Sequence, residues 1–281
     1  MATVTIGIPF YNNETTLRNA IQSVINQTFQ DWLLILMNDG STDQSLEIAK
    51  QFESKKVIVF DDGENRGLIS RLNQLIDMCE SPFFVRMDSD DIMVPERLEK
   101  QISLLVRDTE VDLTGSSAYI IDEKNRITGI RMTSFKSVSL DNILKKGLFI
   151  HPTVTGRTKW FKKYKYKHEF DRAEDLELWC RSCKTSNFVT IEEPLLFYRD
   201  PAKMNLTKYK DSSKTVRRII KLYASNRKQK VLLLVKEKFK IGIYTALDFI
   251  NYTEITNKRR NNRIKQPQAE KALSILKRSI G

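Results

Sequence analysis

The chain has 281 residues, of which 41% are hydrophobic and 29% are charged, and this composition excludes collagen-like, disulfide-scaffold and wholly disordered proteins. Its net charge of +12 is uneven, with −7 over residues 1–100, +3 over 101–200 and +16 over 201–281. An acidic first part is therefore joined to a strongly basic C-terminal part.

The cysteines and the apolar segments indicate in which cellular compartment the protein works. An odd set of three cysteines argues against a disulfide framework and is typical of a reducing cytoplasm. Cys180 and Cys183 form a C-x-x-C without a second ligand pair, so we do not expect a zinc site. The N-terminus lacks the pattern of a secretory signal, and no stretch approaches the ~20 apolar residues of a spanning helix. We expect a cytoplasmic protein.

Strands and helices alternate over the first hundred residues. Apolar runs predict strands at 3–9, 32–37, 56–60 and 83–87, and helical periodicity predicts helices at 14–27, 43–52, 67–79 and from Pro95 onward. Asn12 or Asn13 is expected to cap the first helix. This alternation predicts an α/β fold with a mostly parallel sheet flanked by helices. Ligands bind beyond the carboxyl ends of such strands, where polar clusters lie at 9–13, 38–41 and 88–91.

The rest of the chain changes character twice. The middle third predicts strands at 111–121, 126–131, 153–157, 188–191 and 195–199, with helices at 139–146 and 173–184. After about residue 205 the strand pattern ends. Helices are predicted at 212–225, 228–252 and 268–279, with a basic stretch at 258–265. We therefore divide the chain into 1–205, itself made of halves 1–100 and 101–205, and a basic helical extension at 206–281.

The run Asp88-Ser89-Asp90-Asp91 follows the fourth predicted strand. Crowded carboxylates repel one another unless a proton or a cation joins them. Mg²⁺ prefers such oxygens and takes phosphate oxygens as further ligands, so the run is suited to a metal–diphosphate. Taken alone, this run is a weak signal, since solvated aspartates routinely cap helices.

Two more polar clusters have both a structural and a functional interpretation. Asp39 lies in a strand-to-helix turn, where it could support the turn or accept a hydrogen bond from a uracil ring. Tyr11 could be a core residue or could stack on a base. Glu174 and Asp175 open a predicted helix, where acids are favoured by the helix dipole. The functional alternative for this pair is a general base beside a reacting hydroxyl.

Taken together and in this order, the clusters resemble glycosyltransferase family 2, the inverting enzymes of the GT-A (Rossmann-like) fold. The resemblance covers about residues 3–200. Within the family, the sequence is most similar in kind to bacterial enzymes that build exopolysaccharide, capsule or O-antigen units. Asn38 departs from the pattern, since many members have a second Asp there. The matching strings are TVTIGIPFYNNETTLRNAIQSVINQTF, LLILMNDGSTDQS, ENRGLISRLNQ, FFVRMDSDDIMVPERLEKQ, HPTVTGR and EDLELWCR.

The resemblance implies a role for each matching residue. Residues 1–100 would bind the nucleotide and residues 101–205 the acceptor. The implied catalytic base is Asp175, and the implied ligands of Mn²⁺ or Mg²⁺ are Asp90 and its helper Asp88. We expect Arg86 to pair with the aspartates rather than with substrate. The nucleotide and donor sugar would contact Pro9, Tyr11, Glu14, Asp39, Asp88 and Ser89, and the acceptor side or supporting positions would hold Glu174, His151 and Trp179.

The resemblance also implies a reaction. We expect transfer of a hexose or N-acetylhexosamine from a UDP-sugar to a saccharide acceptor linked to undecaprenyl diphosphate, in bacterial surface polysaccharide synthesis. One alternative is a sugar-1-phosphate nucleotidyltransferase, which would be expected to carry a Gly-rich loop where Pro9-Phe10-Tyr11-Asn12-Asn13 stands. Another is a non-catalytic scaffold that binds sugar nucleotides. Retention of Asp39, Asp88, Asp90 and Asp175 argues against that alternative.

The basic C-terminal part needs its own explanation. Solvated helix faces are the simplest one, and the absence of a nucleic-acid-binding motif argues against nucleic acid. We favour adsorption to an anionic membrane, at the inner face of the cytoplasmic membrane, with packing as a homodimer interface as the alternative. The expected apolar face contains Phe239, Ile243, Tyr244, Leu247, Ile250 and Tyr252, and the expected cations are Lys236, Lys238, Lys240 and residues 258–265.

Overall fold

Four parallel strands form the first half of the sheet in the computed structural model, which describes residues 2–135, 137–200, 205–249 and 261–281. Their spatial order is β3-β2-β1-β4. Every residue of β1 is buried, as expected for a parallel strand covered on both faces. The elements are β1 (Val4–Phe10), α1 (Leu17–Ile25), β2 (Trp32–Asn38), α2 (Ser45–Lys50), β3 (Val57–Phe60), α3 (Leu68–Met78) and β4 (Phe83–Arg86).

The second half of the sheet mixes strand directions. β8 joins the halves by pairing antiparallel with both β4 and β6, β9 runs parallel to β6, and β5 closes the far edge antiparallel to β9. β7 forms a hairpin with β6. The predicted α/β fold class is confirmed. The elements are β5 (Ile92–Met93), α4 (Arg97–Arg107), β6 (Leu113–Ile121), β7 (Ile127–Arg131), α5 (Leu140–Lys146), a 3₁₀ helix (His151–Thr153), β8 (Thr155–Arg157), α6 (Thr158–Lys163), a 3₁₀ helix (His168–Phe170), α7 (Glu174–Ser182) and β9 (Phe188–Arg199).

Helices cover both faces of this sheet and enclose two large cores. Side chains of α1 and α4, such as Ile21 and Ile102, pack with β1 in one core. Side chains of α3, α6 and α7, such as Leu72, Phe161 and Leu178, pack on the other face.

Two local predictions were wrong for identifiable reasons. Neither Asn12 nor Asn13 caps α1 through its side chain; the helix starts at Leu17, and the Asn13 Oδ1 accepts instead from the Ser89 hydroxyl. The two strands predicted around Pro194 are one continuous strand, β9. Pro194 lies where the β6–β9 register is irregular, so its missing N–H costs no regular ladder bond.

The basic C-terminal range packs in two separate places. α8 (Leu206–Tyr223) and α9 (Arg227–Phe249) form a helical hairpin, in which the rings of Tyr209 and Tyr244 meet edge to face with centroids 4.4 Å apart. α10 (Gln266–Ile280) packs elsewhere, against α1 and the far edge of the sheet, where Leu276 enters a third core. None of the helices in the described ranges combines the length and the apolar character needed to span a bilayer.

Candidate functional site

A cleft of about 1000 Å³ opens beyond the carboxyl end of β4. Arg86 and Asp88 form part of its floor, and the 3₁₀ segment at His151 and the start of α7 form a side. Side chains of α5, α8 and α9 complete the wall. Its size is at the upper end of the range for small-molecule sites.

Three aspartates crowd the turn between β4 and β5. Oxygens of Asp88, Asp90 and Asp91 lie within 4.8 Å of one another. Burial, and next the charge of Asp88, raise the pKa of Asp90 to about 6. The Oδ1 of Asp91 accepts from the backbone N–H of Arg199 at 2.8 Å, whereas its buried Oδ2 has no partner among the described residues. A crowded oxygen cluster with an orphaned buried oxygen fits a hard divalent cation.

Arg86 supplies positive charge to this cluster from below. Its Nη1 donates a hydrogen bond to the Oδ2 of Asp88 at 2.8 Å, and its Nη2 forms an ion pair with the Oδ1 of Asp88 at 2.7 Å. Burial alone would lower the pKa of Arg86, but the charge and hydrogen bond of Asp88, together with the charges of Tyr166 and Glu174, outweigh burial and raise it. The predicted pairing of Arg86 with the aspartates is confirmed.

Glu174 and Asp175 enter the cleft from the first turn of α7. Burial, followed by the charge of Asp175, raises the pKa of Glu174 to about 7. Burial also raises the pKa of Asp175, against a hydrogen bond of 2.7 Å that its Oδ1 accepts from the Leu176 N–H. Glu174 is buried and Asp175 is half-buried, and burial raises the pKa of both carboxyls. The pair can hold one proton and accept another, which is the property required of a general base with a neutral neighbour.

His151 lies beside this acid pair. Its Nε2 is 2.8 Å from the Tyr166 hydroxyl, and its Nδ1 is 3.8 Å from the Oε1 of Glu174, which is beyond hydrogen-bond range. Burial, and next the charge of Arg86, lower the pKa of His151 well below its usual value, so the ring is neutral. Asn73 of α3 bonds both the N–H and the carbonyl of Tyr166. α3 therefore fixes Tyr166, and Tyr166 fixes His151.

Trp179 lies beneath His151 in the core. It is 1% exposed, and its ring meets the His151 ring edge to face at 6.2 Å. It is not among the residues that line the cleft. Its place is therefore that of a support for the histidine.

Asp39 lies at the carboxyl end of β2 and faces the start of α3. Its Oδ1 accepts from the backbone N–H of Arg66 at 2.7 Å and from the Nε of Arg71 at 2.8 Å, and its Oδ2 accepts from the Gly67 N–H at 3.1 Å. Gly67 has a φ of 80°, a conformation that side-chain-bearing residues rarely adopt. Asn38, the departure noted in the sequence, donates from its amide to Asp61.

The other predicted nucleotide residues gather around the loop after β1. Pro9 is buried in β1 and the Tyr11 ring is 47% exposed. The Oε2 of Glu14 accepts from the Gln44 N–H at 3.1 Å. The Ser89 hydroxyl donates to Asn13 at 2.8 Å, which ties the aspartate turn to this loop. The strand ends of β1, β2 and β4 thus form one continuous polar edge.

Four residues of this region were not predicted from the sequence as site residues. Asp91 belongs to the acidic run, but only Asp90 and Asp88 were expected as metal ligands. Tyr166, Arg71 and Arg199 carried no local signal, because they reach their partners from 15 to 108 residues away.

The comparisons with known proteins agree with this geometry. The family model described as Glycosyl transferase family 2 matches residues 5–170. EpsE of Bacillus subtilis is 32% identical over 185 residues, which cover 63% of this chain and 66% of EpsE. MJ1057 of Methanocaldococcus jannaschii, an uncharacterized glycosyltransferase, is 30% identical over 209 residues and 72% of each chain. The Escherichia coli protein WfgD, a UDP-Glc:alpha-D-GlcNAc-diphosphoundecaprenol beta-1,3-glucosyltransferase, is 27% identical over 67% of this chain and 72% of its own.

Solved structures share the fold across almost the whole chain. TarS of S. aureus, residues 1–349 in complex with UDP, superposes with a TM-score of 0.63 at 18% identity and covers 99% of this chain and 80% of its own. The mannosyltransferase PcManGT of Pyrobaculum calidifontis, in complex with GDP-Man and Mn²⁺, has a TM-score of 0.62 at 12% identity and covers 99% and 85%. The predicted GT-A fold is confirmed. The chain is a member of glycosyl transferase family 2.

Proposed function

We propose that this glycosyltransferase moves a hexose or N-acetylhexosamine from a UDP-sugar to a hydroxyl of a saccharide acceptor, with inversion, in the synthesis of a bacterial surface polysaccharide. One observation carries the proposal: Asp88, the first residue of the aspartate turn, and the Glu174–Asp175 pair line the same cleft. The names of WfgD and of the TarS complex with UDP-GlcNAc support the choice of a UDP-sugar.

The nucleotide would bind at the polar edge formed by β1, β2 and β4. In the proposed arrangement Pro9, Tyr11 and Glu14 line the uridine site, and the exposed Tyr11 ring is free to stack on the base. Asp39 would accept a hydrogen bond from the imide N–H of uracil. Its Oδ2 accepts from the Gly67 N–H, and a carboxylate oxygen can accept a second hydrogen bond. Asp88 and Ser89 would contact the ribose and the donor sugar.

Asp90, with Asp88, would hold Mn²⁺ or Mg²⁺, and the unpartnered Oδ2 of Asp91 offers a third oxygen. A bound divalent cation would neutralise charge that develops on the departing diphosphate. Because Arg86 already binds both oxygens of Asp88, Asp90 is the better ligand of the two.

In the proposed step, Asp175 removes the proton of the acceptor hydroxyl, whose oxygen forms a bond to the anomeric carbon. The bond from that carbon to the diphosphate oxygen breaks on the opposite side, and its electron pair leaves with UDP. A single displacement therefore inverts the anomeric centre. Glu174, with a pKa of about 7, is the neighbour that orients the hydroxyl, and His151 packs beside it.

The cleft wall suggests an acceptor that carries phosphate. Lys145 and Lys146, in the last turn of α5, are exposed and line the cleft, together with Arg172 and Lys240. Cations at the mouth and carboxylates at the floor suit a saccharide whose reducing end bears a diphosphate. We propose undecaprenyl diphosphate as the carrier, because the name of WfgD contains the word diphosphoundecaprenol.

UDP release measured with a panel of UDP-sugars, with and without a diphosphate-linked acceptor, tests this function. We expect one UDP-sugar to release UDP faster when the acceptor is present. Release of pyrophosphate from UTP and a sugar 1-phosphate would instead favour a nucleotidyltransferase. Tight UDP binding without turnover of any donor would favour a scaffold.

A further inference from the structure

One face of α9 exposes a row of apolar side chains. Val231, Val235, Phe239 and Ile243 follow one another at intervals of four residues and are 53%, 59%, 70% and 38% exposed. We call these four residues the α9 outer face. Leu232 beside it is 64% exposed. No other described segment covers this row, and a contiguous apolar patch of this kind marks an interaction surface.

The opposite side of α9 is already used. Leu233 and Glu237 are buried, and the Ser213 hydroxyl of α8 donates to Glu237 at 3.4 Å. Glu237 and Lys240 line the cleft. Tyr244 also turns inward, against Tyr209, so it does not belong to the exposed apolar face that the sequence predicted. α9 therefore lines the cleft with one side and exposes the apolar row on the other side.

Part of the predicted apolar face is not in this row. Leu247 is half-buried rather than exposed, so it also departs from the prediction. Ile250, Tyr252 and residues 258–260 of the basic stretch lie outside the described residues. Val231 and Val235, which the prediction did not include, take their place.

The basic residues around the α9 outer face indicate what kind of partner would bind there. The hairpin segment 205–249 carries twelve lysines and arginines against three acids. Lys236 and Lys238 are exposed next to Val235 and Phe239. Two copies of such a surface would repel each other, whereas an anionic bilayer would attract the lysines and accept the apolar side chains.

We propose that the α9 outer face docks on an anionic lipid bilayer and so holds the cleft, on the other side of the same helix, at the membrane surface. This inference rests on the proposed function in one respect, since it explains how a lipid-linked acceptor reaches the cleft. The docking itself depends only on the α9 outer face and its lysines.

Vesicle flotation of the full chain tests the docking. We expect the protein to float at low salt with vesicles that contain phosphatidylglycerol and to stay unbound with phosphatidylcholine alone. The double variant Val235→Ser/Phe239→Ser should bind about tenfold more weakly, because it removes apolar area that enters the interface. Lys236→Glu/Lys238→Glu should lose binding at low salt.

The matched controls are Val106→Ser and Leu273→Ser, whose apolar side chains are 60% and 44% exposed on α4 and α10. Both should float like the parent.

Two results would overturn the proposal. Undiminished flotation of Val235→Ser/Phe239→Ser, with an unchanged thermal melt, would show that the α9 outer face does not meet lipid. A dimer in light scattering that this variant disperses, without flotation of the parent, would assign the face to a second copy. UDP release with a short-chain soluble acceptor should be equal in the parent and the variant. Failure of every donor and acceptor in that assay would refute the proposed function while leaving the vesicle result intact.

Discussion

At the scale of single residues, the candidate site depends on how burial and charge shift the pKa values of two neighbouring carboxyls. Glu174 and Asp175 share the first turn of α7, yet the pKa of Glu174 reaches about 7 because Asp175 adds a like charge to the effect of burial. Burial raises the pKa of Asp175 as well, but the Leu176 N–H opposes this rise by stabilising the charged carboxylate, which is the form able to accept a proton. These shifts underlie the roles that we propose for the two acids.

Asp175→Asn should lower the turnover of the proposed transfer by about 10²-fold to 10⁴-fold, the typical contribution of a general base. UDP affinity should stay near that of the parent, because the side chain belongs to the proposed acceptor side. Turnover by UDP release and affinity by calorimetry measure the two effects. Asp171→Asn, an exposed acid four residues earlier, is the control and should behave like the parent. Near-normal turnover of Asp175→Asn would refute the base assignment.

Glu174→Gln should change how stability depends on pH. The folded-state pKa of Glu174 is about 7 against an ordinary value of 4.5, so the folded chain holds this proton more tightly than the unfolded chain. Its contribution is fully present below pH 4.5 and is lost as the pH rises toward and through 7. Relative to the parent, Glu174→Gln should therefore gain up to about 3 kcal/mol between pH 4.5 and pH 8.

Urea unfolding of the nucleotide-free chain at several pH values measures this gain. The control is the exposed Glu169→Gln, which should track the parent at every pH. A stability difference between Glu174→Gln and the parent that does not vary with pH would contradict an elevated Glu174 pKa.

At the scale of elements, the strand ends place the chemistry. The predicted strands of the first hundred residues were confirmed because buried parallel strands are short, apolar runs that end in polar residues. The turn between β4 and β5 then closes Asp88, Asp90 and Asp91 into one cluster. The short strand β5 and the short helix α6 were not predicted, since two and six residues carry too little periodicity.

Asp90→Ala should weaken the binding of Mn²⁺ in the presence of UDP by about tenfold or more, because it removes a proposed carboxylate ligand. Calorimetric titration of Mn²⁺ measures this without any need for turnover. The control is Asp211→Ala, which removes an exposed carboxylate from α8 and should leave the titration unchanged. Equal Mn²⁺ affinity in Asp90→Ala and the parent would exclude Asp90 as a ligand.

At the scale of the whole molecule, the cleft is assembled from distant parts of the chain. Its floor comes from β4, its side from the 3₁₀ segment and α7, and its wall from α5, α8 and α9. The division at residue 205 stays a prediction, and the α8–α9 hairpin contributes to the cleft from beyond it. α10 instead packs on α1, where the Asn26 amide donates to the Ser279 carbonyl at 3.0 Å.

Lys145→Ala/Lys146→Ala should raise the KM for a diphosphate-linked acceptor by about tenfold, which corresponds to about 1.4 kcal/mol. The KM for the UDP-sugar should not change, because these lysines lie on the proposed acceptor side of the cleft. Initial rates with each substrate varied in turn separate the two constants. The matched control is Lys162→Ala/Lys163→Ala, a second exposed lysine pair in the last turn of a helix that does not line the cleft. A higher KM for the donor alone would place the Lys145–Lys146 pair at the nucleotide instead.

The sequence by itself determined the α/β class and the three polar clusters, because these depend on local patterns of apolar and polar residues, and the resemblance of its motif strings indicated the family. Only the tertiary structure decided that Tyr166 fixes His151, that Arg199 binds Asp91 and that α9 faces the cleft with one side and solvent with the other. Each of these depends on residues that are distant along the chain. Local periodicity predicts which residues share a face of an element, but the packing of the other elements determines which face becomes a core, a cleft or a free surface.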